Sequence, residues 1–136
     1  MIYSDPIIID AMARGRLSCT GQLINLDMRD YHMFVSDREP ICAVRVRSES
    51  SFSDFLTDLR VELLNAQSAI DEPAEVMIHL LAHPEADVTM KNYEALCTLI
   101  REIFGDKILI KFGYGTDTSS PNKHKDIMLF IAGNQP

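Results

Sequence analysis

From Phe52 onward the chain alternates between two kinds of hydrophobic pattern. Phe52, Phe55, Leu56, Leu59, Leu63 and Leu64 fall on one stripe at helical spacing behind a run of serines, so SESSFSDFLTDLRVELLNAQSAI predicts a long capped helix. After Asp71-Glu72-Pro73 the pattern changes. AEVMIHLLA is apolar on both faces and about nine residues long, which suits a central strand covered on both sides. Helical spacing returns in MKNYEALCTLIREIF, where Met90, Tyr93, Leu96, Cys97, Ile100 and Phe104 share a stripe and Gly105 is the stop. Lys107 to Tyr114 and Asp126 to Ala132 read as two strands. The polar connection between them, GTDTSSPNKHK, suits an antiparallel pair joined by an exposed loop.

The first fifty residues are less regular. Asp5-Pro6 reads as an N-cap followed by proline at the first helical position, which predicts a short helix over 6–14 ended by Gly15, although three consecutive isoleucines suit a strand equally well. Residues 15–26 are a connecting loop with a small apolar patch, Leu23-Ile24. DMRDYHMFV, from Asp27 to Val35, has an acidic start and apolar residues at helical spacing, and predicts a short amphipathic helix. In ICAVRVR, Cys42, Val44 and Val46 alternate with Ile41, Ala43, Arg45 and Arg47, the pattern of a half-buried strand.

A helix between successive strands makes those strands parallel, so the order predicts an α/β (α+β) fold, a mixed sheet of about four strands with two long helices packed on it. Residues 1–19 read as an N-terminal helix or extension and 20–136 as the domain proper. The length of 136 residues and an apolar fraction of 46% agree with one globular unit.

Charge narrows the partners. Thirteen Lys and Arg against twenty Asp and Glu give a net charge of −7, which repels nucleic acid and anionic membrane surfaces alike, so neither is expected. The small basic clusters, Arg14 with Arg16 and Lys123 with Lys125, read as ordinary solvated charge. Cys19, Cys42 and Cys97 are odd in number and set among apolar or small residues, as buried free thiols are, and no signal-like segment opens the chain; the default location is cytoplasmic. His79 and His83 lie four apart across a strand and its exit, a spacing that meets on one face only in a helix, so they read as structural rather than as a metal pair. No metal and no cofactor are expected, and no cysteine is spaced with a histidine as a nucleophile.

Two segments carry a family resemblance. QLINLDMRDYHMFVSDRE holds the pattern Asn-x-Asp-x-x-Asp at Asn25, Asp27 and Asp30, preceded by the pair Leu23-Ile24. KILIKFGYGTDTSSPNKHKDIMLFIAG has a glycine turn, an acidic residue and a final strand ending in small residues. With the order of elements between them, over roughly residues 20–133, they resemble the C-terminal domain of the FtsZ/tubulin family. That resemblance implies the fold of this domain and a protein partner, either the chain itself or a tubulin-type filament former. It implies that Asp27 and Asp30 reach the nucleotide of a neighbouring subunit and help polarise the attacking water, with Asn25 orienting the loop. A helix alone accounts for the same acids, Asp27 as its cap and Asp30 as a first-turn charge.

There are departures from the family. Gln22 stands where glycine usually precedes the Leu-Ile pair, Arg29 where a small residue is usual, and ICAVRVR lacks the family's glycine-containing run. The six glycines are scattered and form no phosphate-cradling loop, so these residues are not expected to hydrolyse GTP or ATP unaided. A contribution in trans stays open. The expectation is a non-enzymatic domain, stand-alone or a piece of a longer chain, that interacts with or caps a tubulin-type polymer. The alternative is a small oligomeric α/β enzyme or ligand-binding protein with intersubunit sites. Its mark would be a cleft lined by Arg45 and Arg47, since small mixed-sheet domains of this layout also resemble the chorismate mutase type of trimer.

Overall fold

The structure is a computed structural model and describes residues 1–17, 22–24, 26–36, 38–86, 88–121 and 123–134. The elements run β1 (Ile2–Tyr3), α1 (Pro6–Leu17), β2 (Gln22–Ile24), α2 (Met28–Ser36), β3 (Arg38–Ser48), α3 (Phe52–Gln67), β4 (Pro73–Ala82), a 3-10 turn (Pro84–Ala86), α4 (Met90–Phe104), β5 (Leu109–Thr116) and β6 (Lys125–Asn134). The strands form one mixed sheet in the order β1-β3-β6-β4-β5-β2, with β4 and β5 parallel and the other neighbours antiparallel.

Strand alternation sorts the apolar side chains into two cores. Cys42, Val44, Val46, Val76, Ile78, Leu80, Ile127, Leu129 and Ile131 meet α3 and α4, whose Phe55, Leu59, Leu63, Leu96 and Ile100 are fully buried. Ala43, Met77, Met128, Phe130 and Ala132 face the other way and are covered by Ile9, Ala13 and Leu17 of α1 and by Tyr31 and Phe34 of α2. Most of each helix stripe is therefore core, while Leu64 on α3 and Met90 on α4, expected on those stripes, are exposed. Ser51 caps α3, its Oγ accepting from the Asp54 N–H at 3.2 Å. Thr89 and Asn92 form a capping box on α4, and Gly105 ends that helix at φ 102°, a left-handed conformation that glycine adopts without strain.

The mixed α/β sheet is as expected, but three local readings change. Two short edge strands, β1 and β2, extend the four-stranded sheet, and β2 lies where a loop was predicted. Runs of two and three residues hold too little periodicity to be recognised, and their pairing comes from the neighbouring edge. Gly15 does not end α1, which continues to Leu17 because Arg16 and Leu17 both have buried places to occupy. β5 and β6 are not a paired hairpin. β4 lies between them, and β6 inserts between β3 and β4, where a strand apolar on both faces is buried on both sides.

Candidate functional site

The acidic segment leaves the sheet edge and enters α2. Its upstream part is held by pairing of β2 with β5, Gln22 opposite Gly115 and Ile24 opposite Tyr114. Leu26 is buried, and the next residue, Asp27, is exposed. Asp27 and Asp30 close a reciprocal cap. The Asp30 N–H donates to Asp27 Oδ1 at 3.1 Å, and the Asp27 N–H donates to Asp30 Oδ2 at 2.9 Å. The hydrogen bond from the Asp30 backbone holds the Asp27 carboxyl below its ordinary range. Both acids are thus ordered at the N-terminus of α2, and one oxygen of each carboxylate is engaged by the cap. Asn25 lies outside the described residues.

Below this segment is a buried polar cluster. Arg16, 4% exposed, reaches from the last turn of α1 into the sheet; its Nε donates to His79 Nδ1 at 2.8 Å and a terminal nitrogen donates to the His79 carbonyl at 3.1 Å. The Arg16 guanidinium also bonds the Asp126 carbonyl and pairs with Asp126 Oδ2 at 3.1 Å. Arg45 grips the same carboxylate from β3, Nε to Oδ1 at 3.1 Å and a terminal nitrogen to Oδ2 at 2.7 Å. An acceptor at Nδ1 places the imidazole proton on Nε2. Burial, reinforced by the Arg16 charge, pushes the histidine down to about 4, so it is neutral near pH 7. Burial alone would raise the Asp126 carboxyl, but the hydrogen bonds and charges of Arg45 and Arg16 outweigh it and hold the group below its usual range.

These contacts decide what the side chains can do. His79 is fully buried with Nδ1 occupied, so it has no path to a substrate and serves as a structural acceptor. The expected structural role for it holds. His83 Nδ1 accepts from the Glu85 N–H at 3.1 Å, a local turn contact. Cys42 and Cys97 are free and buried, and burial pushes the Cys42 thiol up to about 11, far from a reactive thiolate; Cys19 lies outside the described residues. Among the described residues no three His, Cys, Asp or Glu are grouped to hold a metal ion, and no helix is long and apolar enough to cross a membrane.

Two basic residues depart from the solvated reading. Arg16 is buried as described, and Lys125, 2% exposed, donates from Nζ to the carbonyls of Ser50 and Lys123 at 2.5 and 2.8 Å. Arg45 and Arg47 border an open depression of about 370 Å³, but Arg45 is committed to Asp126, and Asp58 and Glu62 line the same hollow. Sequence reasoning missed Arg16 and Asp126 as partners. The available signal was His79, a polar side chain in the middle of a strand apolar on both faces, which required a buried partner from elsewhere.

The fold is like that of an FtsZ C-terminal domain. Among solved structures, the chain is similar to an empty FtsZ dimer from M. jannaschii, with a TM-score of 0.61 and 18% identity, covering 93% of this chain and 37% of that one. It is similar to a point mutant of M. jannaschii FtsZ with a TM-score of 0.62 and 18% identity, covering 95% of this chain and 39% of that one. The chain thus spans well under half the length of these FtsZ chains, and at this identity the likeness is one of fold. No protein-family model matches the sequence, and no curated protein matches it.

Proposed function

We propose that this chain is a non-enzymatic domain that docks through Asn25, Asp27 and Asp30 on the nucleotide-bearing end of a tubulin-type polymer and caps it. The observation that carries the reading is the acidic segment: two carboxylates ordered by a reciprocal cap at one edge of an FtsZ-like fold. Head-to-tail polymers grow by presenting one surface of each subunit to a different surface of the next. These residues by themselves offer the acidic surface alone, and a piece that offers only that surface binds an end and blocks further addition. The setting of this function is cytoplasmic, on a cytoskeletal polymer of the cell-division type. The two carboxylates also have the chemistry to orient water in trans, so turnover is measured beside assembly.

The experiment mixes the chain with FtsZ and GTP and follows light scattering and phosphate release. Assembly should fall as the ratio approaches equimolar, and the double variant Asp27→Ala, Asp30→Ala should lose the effect. No change in assembly or turnover at ratios up to equimolar overturns the proposal.

A further inference from the structure

Gly113 and His79 are register neighbours on β5 and β4. A Cβ built on Gly113 would lie 2.8 Å from Leu26 Cγ, 3.0 Å from Leu26 Cδ1 and 3.0 Å from His79 Cδ2. The first separation is shorter than carbon–carbon contacts allow and the other two are tighter than nearly all of them, so the Leu26 side chain occupies the space that any other residue at 113 would fill. Glycine here serves close approach, since its backbone is not left-handed. The other wall of this seat cannot turn aside, because Arg16 Nε holds the imidazole through Nδ1 and its terminal nitrogen holds the His79 carbonyl. His79 thus holds Arg16 at the end of α1 and borders the space beside Gly113 into which Leu26, just before α2, is packed. Asp27 follows Leu26 directly.

We infer that Gly113 is the positioning residue of the acidic segment, forming with His79 a seat for Leu26 that sets where Asp27 and Asp30 stand at the sheet edge. The inference rests on the docking reading for its functional consequence, but the seat itself is tested on the isolated chain. A docking surface held in place before contact avoids ordering costs on binding, and a segment lifted from its seat loses that advantage.

Gly113→Ala is compared with the wild type by amide hydrogen exchange, urea unfolding and suppression of FtsZ assembly. Exchange across β2 and the segment to Asp30 should accelerate about tenfold, while amides of β3, β4 and β6 keep their wild-type rates. The concentration needed to suppress assembly should rise about tenfold. Adding Leu26→Ala to Gly113→Ala should recover stability by making room for the new methyl group, yet leave exchange fast and suppression weak, because the anchor is gone. Leu26→Ala alone should give the same fast exchange and serves if Gly113→Ala does not fold. Unchanged exchange at 22–30 in both single variants, or additive stabilities in the double variant, overturns the seat. If the wild type leaves assembly untouched while exchange behaves as expected, the docking reading falls and the seat stands.

Discussion

The buried cluster of Arg16, His79, Asp126 and Arg45 places two guanidiniums on one carboxylate and uses a neutral imidazole as the remaining acceptor. An unfolded histidine titrates near 6.5, whereas folded His79 titrates at about 4. Between those values the unfolded chain binds a proton that the folded chain does not, so stability is present above 6.5 and is lost as pH falls towards 4. The shift corresponds to about 3 kcal/mol. Asp126 acts in the same direction at lower pH, since its folded carboxyl lies below its unfolded value. His79→Asn keeps an acceptor near Nδ1 and removes the titration. Urea unfolding measured from pH 4 to 7 should therefore show the wild type losing stability on acidification, with the slope reduced by one proton in the variant.

At the scale of elements, α1 shows how a buried side chain carries a helix through a residue that disfavours it. Gly15 lowers helix stability, yet Arg16 beyond it makes bonds to two strands and Leu17 is buried. A Cβ at Gly15 would meet nothing within 4 Å, and its backbone is not left-handed. Gly15→Ala should raise unfolding stability by roughly 0.5–1 kcal/mol, read from urea or thermal midpoints. A loss of stability would place the end of α1 before Gly15. Helices α1, α3 and α4 all carry a local N-cap that sequence shows directly, Asp5 Oδ1 accepting from the Ile7 N–H at 2.9 Å on α1, but the last turn of α1 is also held by β4 and β6 through Arg16.

At the scale of the whole molecule, the last strand is a central one. β6 pairs with both β3 and β4, and Ile127 to Ala132 are all buried, so the two halves of the sheet share no direct edge without it. A chain ending at His124 would expose both cores and leave two strand edges open. It should fail to fold cooperatively, with lost amide dispersion and no sigmoidal denaturant transition. A dispersed spectrum from that truncation would contradict the central place of β6.

The sequence by itself determined the α/β class, the two long helices and their core stripes, the double burial of β4, the alternation in β3 and the acidic cap before α2, because each rests on local spacing, capping or periodicity within one segment. It also made Asp27 and Asp30 legible as a pair, three residues apart. Only the tertiary structure decided that β6 crosses β4, that Gln22–Ile24 joins the sheet, that α1 passes Gly15 and that Arg16, His79 and Asp126 are one cluster. The reason is separation along the chain. Arg16 and His79 lie 63 residues apart and Arg16 and Asp126 lie 110 apart, so no local pattern joins them. Gly113 shows the same limit, since an isolated glycine in a strand announces a close approach, and the fold alone names Leu26 as what approaches.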